Sequence, residues 1–342
     1  MKIRSKIAVF SALPLFLLSA CASGADTGNN GSENSADSPL EFVKKEPLKL
    51  GYSVYDLQNS YWQSYAEGVK AGAKEAGVEV SIVDQKSEQA KQVSGSLDLI
   101  NSGISGLIIT PVQPSALPST IDAAHAEKIP VVIGDIGTGG NYDVYIQSNN
   151  KNGGELAAKY LIDRFKDTDG KHKIGVIELH AGSVVGEERV SGFKDAIAKS
   201  DNLEVVASLD GNDTVDGGFS AAQDMLSANP DLEVIYAAND DSAIGAQRAM
   251  ETAGKSVADG FVLIGFDGSP SALDLIRSGK MSATVAQDPY GQGKKAVETI
   301  LAILDGKSPE FDDSKTKTIF FPVTMVDSSS LDQFLASKAK QN

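Results

Sequence analysis

Residues 262–289 read "VLIGFDGSPSALDLIRSGKMSATVAQDP". The stretch carries two short apolar runs, FVLIGF at 261–266 and ATVAQ at 283–287, with a helical stretch between them. FVLIGF does not alternate apolar with polar residues; it is nearly continuous, as expected of a parallel strand buried on both faces. Each run ends in polar side chains, Asp267 after the first and Gln287 with Asp288 after the second.

The same unit recurs on either side. Strand candidates are LKLGYSV (48–54), VEVSIV (78–83), GLIIT (106–110), PVVIGD (130–135), VYIQS (144–148), KIGVIEL (173–179), EVVASL (204–209), VIYAAN (234–239) and TIFFPVTMV (318–326). Helical stretches separate most of them. In 61–76, Tyr61, Tyr65, Val69, Ala73 and Ala76 share one helical face, and Gly77 supplies a stop. Further helices are predicted over 88–102 and about 290–305. Strand–helix alternation of this kind predicts an α/β fold with doubly wound parallel sheets, and the chain length favours two successive sheets over one very wide one.

Composition narrows the function. Apolar residues make up 41% of the 342, enough for globular cores, while 46 Asp and Glu against 31 Lys and Arg give a formal charge of −15. Such a chain is repelled by nucleic acid and by anionic lipid. Catalytic signatures are missing where they belong. The first strand is followed by YDLQNSYWQ, with no glycine-rich turn for a dinucleotide. Gly-Lys-Ser occurs at 254–256 and 306–308, but the Walker loop then needs glycine where the chain has Ala249 and Leu301. None of the three histidines has metal-ligand spacing. His125 and His172 read as solvated; His180, at a strand end, is a candidate to touch a ligand. With no Gly-x-Ser-x-Gly elbow, the sequence predicts no catalytic residue, no metal and no cofactor.

In open α/β sheets ligands sit beyond the carboxyl ends of strands. Those ends hold amides, carboxylates and aromatics: Asp56, Gln58, Asn59, Tyr61 and Trp62 after the first strand, then Asp135, Asn239 with Asp240 and Asp241, Asp267, and Gln287 with Asp288. Such groups grip uncharged polyols. A carboxylate accepts from adjacent hydroxyls, an amide donates and accepts, and an aromatic face covers C–H groups. Asp240, Asp241 and Asp288 also read as helix N-caps. Tyr61 lies on the buried stripe of its helix, which makes Trp62, one position off it, the better candidate to stack on a sugar ring.

At these residues the chain resembles a known family. "YAANDDSAIGAQRAMETAG", "VLIGFDGSPSALDLIRSGKMSATVAQDP", "VGEERVSGFKDAI" and "NSYWQSYAEGVKAGAKEAG" resemble ribose-type periplasmic sugar-binding proteins, in order, over about residues 47–326. The resemblance implies two α/β lobes joined by a three-strand hinge, with ligand enclosed between them. It places an N-terminal lobe over 47–149 with 288–318, a C-terminal lobe over 150–287 with 319–330, and a tail over 331–342. It assigns Ser53, Asn59, Tyr61, Trp62 and Asp135 to the first lobe's side of the cleft, Asn239 and Asp267 to the second, and Gln287 to the hinge. LacI-type repressors share the fold but carry an N-terminal DNA-binding segment, whose place here is taken by residues of another kind.

The departures bear on the ligand. An arginine that follows the fourth-strand aspartate in ribose binders is Ile136 here, and a second is replaced by Glu187. Arg189 matches a neighbouring arginine and reads as structural. A stacking phenylalanine falls near Asn212 or Asp213. Glu187 with Asp135 and Asp267 should disfavour anions, so a neutral sugar, polyol or cyclitol is expected. The implied partners are an ABC permease with a separate ATPase, for a monomeric binding protein. A surface receptor serving a sensor kinase or chemotaxis partner is the alternative reading.

The start of the chain fits this picture. "MKIRSK" is a positive n-region, 7–18 an apolar stretch too short to span a bilayer, and "LSAC" resembles the lipobox of bacterial lipoproteins. The resemblance implies a signal peptide over 1–20, lipidation at Cys21, the only cysteine, and attachment outside the cytoplasmic membrane. Residues 21–46 have the Gly, Ser, Asn and Asp content of a flexible linker.

Overall fold

A computed structural model describes residues 41–340. The expected signal peptide, Cys21 and most of the expected linker lie outside the described residues.

The first sheet is built from β1 (Lys49–Val54), α1 (Ser60–Glu75), β2 (Glu79–Asp84), α2 (Gln89–Asn101), β3 (Gly106–Ile109), α3 (Leu117–Ala126), β4 (Val131–Gly134) and β5 (Val144–Ser148). The chain then crosses to α4 (Asn150–Phe165), β6 (His172–Glu178), α5 (Val184–Ile197), β7 (Leu203–Asp210), α6 (Val215–Ala228), β8 (Val234–Ala237), α7 (Asp240–Thr252), β9 (Val262–Asp267), α8 (Pro270–Arg277) and β10 (Ala283–Ala286). It returns through α9 (Pro289–Leu304) and β11 (Thr318–Phe321), and crosses again to β12 (Thr324–Asp327) and α10 (Leu331–Ala339).

Two six-stranded sheets result, in the orders β11-β5-β4-β3-β1-β2 and β12-β10-β9-β8-β6-β7. Pairing is parallel except between β10 and β12. The fully buried runs of β3, β4 and β8 match their uninterrupted apolar sequences. Each sheet has apolar clusters on both faces, as a doubly wound lobe requires.

One strand candidate divides. TIFFPVTMV forms β11 in the first sheet and β12 in the second, broken at Pro322. Proline has no N–H to donate and restricts the residue before it, so a single ladder cannot run through it. The third crossing therefore falls at 322–323, not at 318–319, and Phe321 belongs with the first lobe. Residues 331–339, expected as tail, form α10, which packs on α8 and β12.

The helix pair α4 and α5 carries Asn150 and Arg189. It packs so closely that a Cβ on Gly154 would stand 2.0 Å from the Arg189 carbonyl oxygen, and one on Gly192 2.1 Å from that of Lys151. This contact sets where Arg189 leaves its helix.

Candidate functional site

The carboxyl ends of both sheets meet at the crossings, and polar side chains there close a hydrogen-bonded ring through both lobes. On the first lobe, the Tyr61 hydroxyl donates to Asp135 Oδ1 (3.0 Å) and lies 3.1 Å from Gln287 Oε1. Gln287, just beyond β10, donates from Nε2 to Asp267 Oδ1 (2.6 Å) and accepts from Ser148 Oγ (2.6 Å). Arg189 Nη1 donates to the same Asp267 oxygen (3.3 Å), and its Nε to Asn150 Oδ1 (2.9 Å). Asn150 Nδ2 donates to Gln147 Oε1 (3.2 Å), which lies 3.0 Å from the Tyr145 hydroxyl; that hydroxyl donates to the Asp135 carbonyl and completes the ring.

The two acids are presented by unusual backbone. Asp135 has φ 66° and Asp267 φ 127°, a region that side chains with a Cβ seldom occupy. Each ends a strand, and the turn directs its carboxylate inward instead of across the sheet. A residue held there costs on the order of 1–3 kcal/mol, which the surrounding bonds offset. Arg189 is 4% exposed, donates to the Ala238 carbonyl (2.8 Å) and stacks on Phe266 with its guanidinium carbon 3.9 Å from the ring centre. Stacking and three acceptors hold it as one rigid cation between the lobes.

Electrostatics follows from burial. Burial raises the Asp135 pKa, against the pull of Arg189 and the Tyr61 hydrogen bond. It raises Asp267 to about 6, again opposed by Arg189 and by Gln287, with Asp135 adding to the rise. One guanidinium thus steadies a carboxylate on each lobe. Beside the ring lies a cleft of about 290 Å³, lined among others by Asn59, Tyr61, Asp241, Asp267, Gln287 and Lys338.

Residues 50–308 match the family described as a periplasmic binding protein domain. This chain belongs to the ribose-type periplasmic binding proteins. The ribose import binding protein of Bacillus subtilis is 33% identical over 328 residues, 94% of this chain and 98% of that one. A periplasmic ribose ABC transporter structure from Conexibacter woesei superimposes with TM-score 0.77 at 26% identity, covering 86% of this chain and 96% of that one. A Caulobacter myo-inositol binding protein, solved with myo-inositol, gives 0.72 at 26%, covering 85% and 97%.

Within this periplasmic binding protein, Tyr61, Asp135, Asp267 and Gln287 come together as the resemblance implied. Asn59 lines the cleft and caps α1, its Oδ1 accepting from Tyr61 N (2.8 Å). Other expectations change. Trp62 is 6% exposed and stacked on Tyr55 at 5.3 Å, with Tyr61 and Tyr65 on its other sides. It belongs to the first lobe's apolar cluster, while Tyr61 lines the cleft. The helix turns Trp62 under β1, where apolar contact area is available. Ser53 is fully buried and accepts from Gln85 Nε2 (2.9 Å), so it braces a loop. Asn239 caps α7 through Ser242 N (3.0 Å), and its Nδ2 donates to the Asp213 carbonyl (3.3 Å).

Asp213 is bound to His180, by backbone N (2.8 Å) and Nδ1 (2.5 Å). Glu187 is exposed and lines a separate depression of about 500 Å³ with His180, because it points from the first turn of α5 away from the face that carries Arg189. Nor are the other histidines solvated: His125 pairs with Asp143 (2.9 Å), and His172 stacks on Phe165 and pairs with Glu233 (2.7 Å). Asp240 is not a cap; Asn239 is, while Asp288 does cap α9. The residue that sequence reading undervalued is Arg189. Its signal was weak, since one arginine on a helix is more often solvated than central. Gln147 and Ser148, ending VYIQS, were legible as another polar strand end.

Proposed function

We propose that this chain is the extracytoplasmic binding protein of an ABC importer, acting as a monomer tethered by a lipid on Cys21, and that it encloses a neutral sugar, polyol or cyclitol between its lobes. The observation that carries the ligand class is the ring itself. Its members are hydroxyls, amides, two carboxylates and one guanidinium, positioned by strand ends and helices of both lobes. A polyol entering there exchanges ring bonds for bonds to its own hydroxyls, which donate to Asp135 and Asp267 and accept from Arg189 and Gln287. The cleft volume is near the lower end of the roughly 300–1,000 Å³ typical of small-molecule pockets, which suits a monosaccharide-sized ligand. Relatives that bind ribose or myo-inositol support the same class.

Exclusion of anions now rests on different residues. Glu187 takes no part, and Arg189 supplies a cation, but it is already shared by two carboxylates. A carboxylate or phosphate ligand would meet Asp135 and Asp267 first. Ligand bridging both lobes favours the closed form, and the permease reads that form.

The test is a thermal-shift and calorimetric screen of D-ribose, D-allose, L-arabinose, myo-inositol and their sugar acids. A cognate ligand at about 100 times its Kd adds about 2.7 kcal/mol of stability. Stabilisation by a sugar acid alone would overturn the reading. Sedimentation of wild type with membranes, and release of Cys21→Ser, tests the anchor; equal sedimentation of the two removes it.

A further inference from the structure

Asp240 begins α7 and is 1% exposed. Both oxygens are engaged: Oδ1 with Thr284 Oγ1 (2.7 Å) and Oδ2 with the backbone N–H of Ser269 (2.7 Å). Thr284, on β10, also accepts from Gly268 N (3.3 Å). The segment so gripped is the turn that carries Asp267, with φ 127° at Asp267 and 72° at Gly268. The Asp240 side chain therefore ties α7 to β10 and to Ser269, and reaches Gly268 through Thr284. It has little room to move, since a Cβ on Gly265 would stand 2.4 Å from its Oδ1.

We infer that Asp240 is a positioning residue for Asp267: it clamps the 267–269 turn, aims the Asp267 carboxylate into the cleft, and so sets affinity without touching ligand. This rests on the proposed reading of Asp267 as a ligand-holding group. The charges around Asp240 favour a neutral clamp. Asp267 of β9 and Asp241 of α7 are its acidic neighbours; Arg189 of α5 bonds to Asp267, and Lys338 of α10 bonds to Asp288. On the other elements packed against α7, Asp216, Asp224, Asp274 and Arg277 are exposed. Burial and the charge of Asp267 push the Asp240 carboxyl up to about 8, against the pull of the Ser269 N–H and the Thr284 hydroxyl that donate to it. An asparagine reproduces the neutral pattern, Oδ1 accepting from Ser269 and Nδ2 facing Thr284.

Asp240→Ala, Asp240→Asn and Thr284→Val are compared by amide exchange of ligand-free protein and by calorimetry with D-ribose and myo-inositol from pH 6 to 9. Asp240→Ala is expected to speed exchange at Gly268 and Ser269 and weaken binding about tenfold or more. Asp240→Asn should return both to within about threefold of wild type, and any decline in wild-type affinity above about pH 8 should be absent from it. A folded Asp240→Ala that binds and exchanges like wild type overturns the inference, as does Asp240→Asn as weak as Asp240→Ala at pH 6. Should Asp240→Ala not fold, Thr284→Val decides: unchanged exchange and affinity refute the clamp. If wild type binds neither sugar, exchange in the ligand-free variants still scores the clamp, and the proposed function is judged separately by the wider sugar screen.

Discussion

The two sides of the cleft are built differently. The first lobe presents Tyr61 and Asp135 above an aromatic bed of Tyr55, Trp62 and Tyr65, with no cation of its own in the ring. The second presents Arg189 and Asp267, with Asp240 buried behind. One wall is apolar support under neutral and acidic tips; the other is a charge network whose cation serves both walls. The difference teaches that ring position on the first side depends on packing, and on the second on paired charge. The two walls are coupled because the charge of Arg189 acts on Asp135 across the gap.

That contrast can be broken. Trp62→Ala should cost stability, about 3–5 kcal/mol for a large aromatic removed from a core, read by denaturant unfolding. Trp62→Phe should bind like wild type; loss of binding with unchanged stability would return Trp62 to the ligand face. Arg189→Met should remove at least about a hundredfold in affinity for the cognate sugar, about 2.7 kcal/mol, because both carboxylates lose their cation. A loss within about threefold would mean that the charge network is structural only.

Acid sharpens the second wall. With Asp267 raised to about 6 from its ordinary 3.8, binding should weaken about tenfold between pH 7 and 5 as the acceptor is protonated. Stability runs the other way. The folded chain binds this proton more tightly than the unfolded chain, so the contribution of Asp267 falls as pH rises from about 4 to 6. Calorimetric affinity that is flat across this range would contradict the assignment. Tyr61→Phe removes one hydroxyl shared by Asp135 and Gln287 and should cost about 0.5–1.5 kcal/mol of binding, with melting little changed. Smallest of all, Glu187→Gln should alter affinity by less than about 0.5 kcal/mol, since it lies in a different depression.

Much was legible before any coordinates. Continuous apolar runs such as GLIIT and FVLIGF, spaced by helices, specify parallel strands because only a sheet covered on both faces buries them. Polar residues ending those runs located the cleft, for loops beyond strand ends converge there in any doubly wound lobe. Asp135, Asp267 and Gln287 were found on that basis and on the family's motifs.

Sequence alone thus determined the fold class and the edge of the sheets that binds, since both follow from local periodicity and chain direction. Which neighbour of a pair turns inward was decided by tertiary structure. Tyr61 and Trp62 differ by one helical step, as Glu187 and Arg189 differ by two, and only packing against β1 or α4 selects the face. The partner of each charge was equally hidden: Arg189 lies 78 residues from Asp267, and no local pattern brings together groups that meet only when two lobes and their crossings are assembled.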